Sequence, residues 1–359
     1  MRVRSAGRRP AILVARLLGF AVVFALVAGV VYERLGARRD RQRLPQVGRF
    51  VDVGGRNLNI YCSGDGSPAV IFDSGNGDPG YVWSAIQPEV AKLTRACWFD
   101  RAGEGWSDTG PFPRTSAAMS SDLHALLHRA GIPAPYVLVG HSLGGMNARV
   151  YTGMYPGDVA GAVLVDASHV DEATRAPAFM LGHSVSRTWW HPIWIAGQAA
   201  RVTGLLRLTL PATKLPADPA RRTRHVVVRA LRNQPAAVAT QFDASGPERY
   251  AQAERAAGFG HRPLIVLTRG KVVLAPNPGR EDREWAAYEL VWQREIQPKL
   301  ARLSTRGQQV IVATSGHEMH EDAPEFIVEA VGKVIMNVRE RSASCDVCLT
   351  SRRIAGPRP

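Results

Sequence analysis

From residue 50 onward the chain alternates short, continuously apolar runs with longer segments whose apolar positions recur at helical spacing. The runs are Ala69-Val70-Ile71-Phe72, Ala96-Cys97-Trp98-Phe99, Tyr136-Val137-Leu138-Val139, Ala160-Gly161-Ala162-Val163-Leu164-Val165, Pro263-Leu264-Ile265-Val266-Leu267 and Gln309-Val310-Ile311-Val312-Ala313. A run with no polar face predicts a strand covered on both sides. Ahead of them, Phe50-Val51-Asp52-Val53 and Leu58-Asn59-Ile60-Tyr61-Cys62 flank Gly54-Gly55 and predict a β-hairpin. Helices are predicted over 82–93, over 116–130 with Leu123, Leu126 and Leu127 before Gly131, over 143–154 before Pro156, over 285–303 and over 325–336. Strands alternating with helices imply an α/β architecture built on a mostly parallel, doubly wound sheet.

The rhythm breaks between the strand ending at Val165 and the one beginning at Pro263, a gap far beyond ordinary loop length. The segment about 169–260 is therefore expected to be a subdomain. Its apolar stretch Leu205, Leu206, Leu208 and Leu210, with Trp189, Trp190 and Trp194 upstream, suggests a largely helical cap. Those side chains would either wall an apolar pocket or bind the cap to the sheet.

At the other end of the chain, residues 11–32 are apolar apart from Arg16, whose side chain can snorkel toward headgroups. The stretch is long enough to cross a bilayer as a transmembrane anchor. A cleaved signal peptide is the competing reading, with Val27-Ala28-Gly29 as a poor small-residue site. Residues 1–10 read as a basic N-terminus, 33–49 as an Arg-rich linker, 50–340 as the main domain and 341–359 as a basic tail. Arginines on both sides of the span leave its orientation open.

Net charge changes the picture less than its size suggests. The formal +14 is concentrated at the ends, with +9 in residues 1–49 and +3 in 341–359, leaving +2 for 50–340. A near-neutral domain lacks the basic footprint that tracks phosphates, so nucleic acid is not expected as a partner. Composition, 45% hydrophobic and 21% charged, is that of a globular protein. Only four cysteines occur. Cys345-x-x-Cys348 cannot complete a tetrahedral zinc site alone, and no metal or organic cofactor is expected.

The candidate chemistry begins directly after the strand 136–139, at Gly140-His141-Ser142-Leu143-Gly144-Gly145. A G-x-S-x-G pattern between a strand and a helix is a nucleophile elbow: the sharp turn leaves no room at Gly140 and Gly144 and lifts the Ser142 hydroxyl above the sheet. The Leu143 amide at the helix start would face the charge that develops on an attacked carbonyl. Serine needs a base. His317, in Ser315-Gly316-His317 after the last strand, is best placed, with His320 as understudy. His124 and His128 fall on a predicted amphipathic helix, where surface or packing roles suit them, and His141 lies inside the elbow.

Three motifs together resemble the α/β-hydrolase superfamily over residues 50–338: the elbow, the segment from Phe99-Asp100-Arg101 through Gly103-Glu104-Gly105 to Ser107-Asp108, and Gly316-His317 with Pro324. The resemblance implies a second oxyanion amide in Asp73-Ser74-Gly75-Asn76-Gly77, at Asn76, although Ser74-Gly75 stands where many members have His-Gly. It also implies a triad acid, usually after the strand 263–267. Here Thr268-Arg269-Gly270-Lys271 offers no carboxylate. Some members carry the acid one strand earlier, which points to Asp166, with Asp171 and Asp282 as alternatives. The family's strand order would bring Cys62 and Cys97 close enough for a disulfide, the alternative being two buried thiols. A disulfide would imply an oxidising compartment, hence a single-pass protein with an extracytoplasmic domain, or a secreted one.

The expected activity is that of a serine hydrolase taking a small-molecule ester or related acyl substrate through an acyl-enzyme. Serine argues against dehalogenase or epoxide-hydrolase chemistry, which uses an elbow carboxylate in this family. Thioesterase, amidase, lactonase and acyltransferase chemistry stay open, as does oligomeric state. Two other classes compete. A hydrolase-fold binding domain without catalysis is kept open by the missing later acid. An NADP-dependent oxidoreductase is suggested by Gly75-x-Gly77-x-x-Gly80 followed by Asp100 and Arg101, although Pro79 disturbs the phosphate-binding turn.

Overall fold

In a computed structural model of the 359-residue chain, the described residues are 8–44, 46–177, 199–200, 202–205, 218–232, 237, 240, 248–272 and 277–354. Trp189, Trp190, Trp194, Leu206, Leu208 and Leu210, on which the cap reading leaned, lie outside them. The chain divides into two compact units, residues 1–45 with 188–222 and residues 46–187 with 223–359.

The first unit contains helix α1 (Arg8–Arg43). Its stretch Ile12–Arg39 is long and apolar enough to cross a membrane, and Leu13, Leu17, Phe20 and Phe24 are exposed. The helix runs on beyond Tyr32 through most of the segment expected to be a linker. Between Glu33 and Arg43 only Gly36 disfavours helix, and no proline interrupts before Pro45, so nothing stops the hydrogen-bond ladder there.

The second unit is an α/β sheet of eight strands. In chain order they are β1 (Arg49–Asp52), β2 (Asn57–Ser63), β3 (Ala69–Asp73), β4 (Ala96–Phe99), β5 (Tyr136–His141), β6 (Val159–Val165), β7 (Leu264–Arg269) and β8 (Gly307–Val312). The spatial order is β1-β2-β4-β3-β5-β6-β7-β8. β1 and β2 form the expected hairpin, β2 pairs antiparallel with β4, and every pair from β4 through β3 to β8 is parallel. Cys62 stands opposite Cys97 across β2 and β4, and the two form a disulfide.

The continuous apolar runs sort themselves by the two-residue period of a strand. Ile71, Leu138, Ala162 and Leu164 point into one core, while Val70, Phe72, Val137, Val139, Val163 and Val165 point into the other. Among the described residues the helices that follow are α2 (Gln87–Ala91), α3 (Ser116–Arg129), α4 (Leu143–Met154), α5 (Glu172–Arg175), α6 (Pro219–Arg232), α7 (Glu248–Arg255), α8 (Arg280–Val291) and α9 (Gln297–Ala301). Then come α10 (Met319–Asp322) and α11 (Pro324–Ile354). Leu123, Leu126 and Leu127 of α3 fill the first core, and Ile327, Val331 and Val334 of α11 fill the second. The Thr115 hydroxyl accepts from the Ala118 amide and starts α3, and Gly131, at φ +70°, follows its end.

Proline accounts for two helices that differ from expectation. The segment 82–93 splits into a tight turn at Gly80–Ala85 and the short α2, because Pro88 has no amide to donate backward and fits only a helix's first turn. Residues 285–303 divide at a π-turn, Trp292–Ile296, just ahead of Pro298. Helix α11, by contrast, overruns the expected end at 336 and occupies most of the supposed tail. After Gly332 no glycine or proline occurs until Gly356-Pro357, so no stop signal intervenes.

Candidate active site

Four loops converge at the carboxyl ends of β5, β3, β6 and β8. The first is the elbow. Ser142, between β5 and α4, holds φ 52° and ψ −117°, a conformation that a serine reaches only under constraint. Its amide donates to the Val165 carbonyl (3.1 Å), and its own carbonyl accepts from the Ser168 amide (3.0 Å). The glycines around it are steric requirements. A Cβ on Gly140 would lie 2.4 Å from the Gly144 carbonyl oxygen, and one on Gly144 would lie 2.3 Å from that of Asp73. Leu143 is the first residue of α4, where backbone amides have no partner within the helix.

The second loop follows β3. Its Asp73-Ser74-Gly75 backbone passes directly over Gly144 and His141, which brings the loop carrying Asn76 to the elbow. Arg101 braces it from behind. Its guanidinium donates to Asp73 Oδ1 (2.6 Å), to the Ser74 carbonyl (2.7 Å) and to the Gly75 carbonyl, and pairs with Glu104 (2.8 Å). Burial pushes the Glu104 carboxyl up to about 7 against the pull of Arg101. Asp100 is equally committed: it accepts from the Gly80 amide (2.7 Å), Asn59 Nδ2 (2.9 Å) and the Trp106 amide (3.0 Å). With its oxygens saturated in the interior, Asp100 offers nothing to a ribose, and the oxidoreductase reading loses its acidic residue.

The third loop follows β6 and opens with Asp166. Among the described residues, Ser142 and Asp166 (φ 41°) are the non-glycine residues with positive φ, and they end adjacent strands. The fourth loop follows β8 and carries His317. His317 Nδ1 lies 2.5 Å from Asp166 Oδ2, although the imidazole stays 44% exposed while the carboxylate is fully buried. Burial alone would push the Asp166 carboxyl up. The Arg269 charge and the hydrogen bonds from His317 and Trp292 outweigh it and hold the group well below the usual carboxylate range. Burial likewise depresses His317, but its hydrogen bond and charge contact with Asp166 prevail, and its pKa is raised.

The remaining candidates sort by partner. Asp171 pairs with Lys299 (2.6 Å) and Asp282 accepts from the Gly279 amide at the start of α8 (2.8 Å), so both are engaged elsewhere. His124 stacks on Tyr155 and bonds Asp158 (2.9 Å). His320 is buried against Trp83 and His141. His141 has a role that its place in the motif did not announce. Its Nε2 donates to the His317 carbonyl (2.9 Å), tying the elbow to the histidine loop, while burial and the neighbouring His317 lower its pKa to about 4.

Arg269, Glu289 and Trp292 also went unassigned in the sequence. Trp292 Nε1 donates to Asp166 Oδ1 (2.7 Å), Arg269 Nη1 to Asp166 Oδ2 (2.6 Å), and Arg269 Nε to both oxygens of Glu289 (3.0 and 2.9 Å). The one signal for Arg269 was its position, immediately after β7 where a carboxylate was sought.

An eight-stranded sheet with a serine elbow on its central strand and a histidine loop after its last strand is the architecture of an α/β hydrolase. A family model described as the alpha/beta hydrolase family matches residues 70–330, and the chain belongs to that family. It is similar to the YbdG protein of Bacillus subtilis, 26% identical over 151 residues, which cover 42% of this chain and 46% of that one. A vacuolar membrane protein of Saccharomyces cerevisiae is 27% identical over 165 residues, 35% of this chain and 26% of its own. The chain thus spans less than half the length of these relatives. Among solved structures, a thermophilic esterase from Thermogutta terrifontis superposes with a TM-score of 0.51 at 21% identity, covering 81% of this chain and 98% of the esterase. At that identity the likeness bears on the fold alone.

Proposed function

We propose that this chain is a serine hydrolase that cleaves an ester or related acyl compound through an acyl-enzyme. The observation that carries the reading is the contact of His317 Nδ1 with the buried Asp166 carboxylate, on a loop that His141 ties to the Ser142 elbow. With Nδ1 donating to Asp166, the neutral imidazole presents an unprotonated Nε2, the form that can take the Ser142 proton. Ser142 Oγ attacks the acyl carbon, and the developing oxyanion is received by the amides of Leu143 and Asn76. His317 passes its proton to the leaving group and then activates the water that releases the acyl group. The positive end of α4 favours the anionic intermediate.

Fluorophosphonate labelling tests this directly. The wild-type protein is expected to take up one label at Ser142 and to hydrolyse a short-chain nitrophenyl ester. Ser142→Ala is expected to lose the label and about a thousandfold or more of the hydrolysis. A wild-type protein that is folded yet unlabelled and inert would instead support a binding domain built on this fold.

We further propose that α1 anchors the protein in a membrane as a single-pass span, with the disulfide-bonded domain on the extracytoplasmic side. The exposed apolar surface of Ile12–Arg39 and the Cys62–Cys97 bond support this. The full chain is expected in the alkali-resistant membrane fraction, and a chain lacking residues 1–44 in the soluble one. Full-length protein extracted by carbonate would refute the anchor.

A further inference from the structure

Where a carboxylate is expected after β7, Arg269 brings the opposite charge. Arg269 closes β7 and reaches across to β6, where its backbone amide donates to Asp166 Oδ1 (3.2 Å) and its Nη1 to Asp166 Oδ2 (2.6 Å). Trp292 Nε1 occupies Oδ1 from the other side, so His317 and Arg269 share Oδ2. The guanidinium is itself immobilised. Both oxygens of Glu289 take its Nε, and its central carbon lies 4.5 Å from the ring centre of Trp292 and 5.7 Å from that of Trp285. Arg269 is 6% exposed and Glu289 1%. A buried ion pair of this kind costs desolvation and is weak evidence for stability alone, which invites another role.

We propose that Arg269 is a positioning residue that orients the Asp166 carboxylate and, balanced by Glu289, sets how much of its charge His317 feels. The proposal rests on the reading of Ser142, His317 and Asp166 as the reacting groups. An acid placed one strand early sits on a residue of strained backbone, and the grip from β7 fixes its carboxylate plane. Electrostatically, Arg269 opposes Asp166 in raising the basicity of His317, and Glu289 opposes Arg269. The other charged or titratable groups facing His317 are Glu318 on its own loop, His141 from the elbow, His320 from α10 and Glu172 from α5. Behind them Asp78, paired with Arg232 of α6, faces Glu318 and His141. None of these changes in variants of Arg269 or Glu289, so the pair can be tested by itself.

The readout is the pH dependence of fluorophosphonate labelling of Ser142 in the full-length protein, whose acid limb reports protonation of His317. Arg269→Gln removes a positive charge and is expected to move the limb to higher pH by about one unit. Glu289→Gln leaves the Arg269 charge unbalanced and is expected to move it the other way. Arg269→Lys, which keeps the charge but not the fork, is expected to hold the limb near the wild-type position while slowing labelling. A purely structural brace would not shift the limb in opposite directions. If both glutamine variants fold and their limbs coincide with the wild type, the inference is overturned and the reading of the site stands. If Arg269→Gln fails to fold, Glu289→Gln decides by the sign of its shift alone. If wild-type Ser142 takes no label at any pH, the site reading falls and this inference with it.

Discussion

Asp166→Asn is expected to lower kcat on a nitrophenyl ester by about a thousandfold to ten-thousandfold while leaving the protein folded. Asparagine tolerates positive φ, so the strained turn at φ 41° survives the exchange. On the proposed mechanism the damage is chemical. An amide nitrogen turned toward His317 Nδ1 forces the imidazole into the other tautomer, with a proton on Nε2 where a lone pair is needed. Rotated the other way, the neutral amide oxygen still forfeits the charge that stabilises the imidazolium. The substitution also has a pH signature. Because the folded-state pKa of Asp166 lies below its ordinary value, its contribution to stability is present above the usual carboxylate range and lost only as pH falls through the folded value. The variant should therefore be less stable than wild type at neutral pH, and the gap should close in acid. Initial rates and urea unfolding at two pH values would check both, and a rate within tenfold of wild type would remove Asp166 from the mechanism.

Arg101→Met is expected to produce the largest loss of stability, about 3–5 kcal/mol, read as a shift of the urea midpoint or a fall in Tm of about 10 °C. Arg101 is 3% exposed and holds two buried carboxylates, Asp73 and Glu104, together with the carbonyls of Ser74 and Gly75. Methionine fills much of the volume but leaves both anions without a cation. Glu104 already titrates near neutrality, at about 7, and would rise further without Arg101. The penalty is thus expected to shrink as pH falls and Glu104 takes up a proton. Freed from Arg101, the loop over Gly144 should also drift and slow labelling at Ser142. A variant within about 1 kcal/mol of wild type would show that Asn147, which donates to Asp73 Oδ2 (3.1 Å), suffices to hold the loop.

The chain's pattern determined most of the fold by itself. Most of the continuous apolar runs became strands buried on both faces, and the glycine-flanked serine between strand and helix became a sharp turn, both from local features. The run 309–313 departs from that expectation, because β8 is the edge of the sheet and leaves Val310 and Ile311 exposed. Where the pattern misled, local features were also at work. Pro88 and Pro298 interrupted helices that periodicity ran together, and the lack of any stop signal carried α1 and α11 beyond their expected ends.

Tertiary structure alone decided which distant charges meet. Asp166 and Arg269 are about a hundred positions apart, and Asp73 ends β3 while Arg101 lies in the loop after β4. Nothing in the spacing of either pair says that their side chains share a hydrogen bond. Strand order brings them together, because β6 neighbours β7 and β3 neighbours β4. The commitment of Asp171 to Lys299 is likewise visible only once the neighbours are placed, whereas Asp282 caps its own helix start three residues away, a local contact. Periodicity reports which face of an element is buried, whereas the partner of a buried charge is chosen by contacts between segments that folding alone brings within reach.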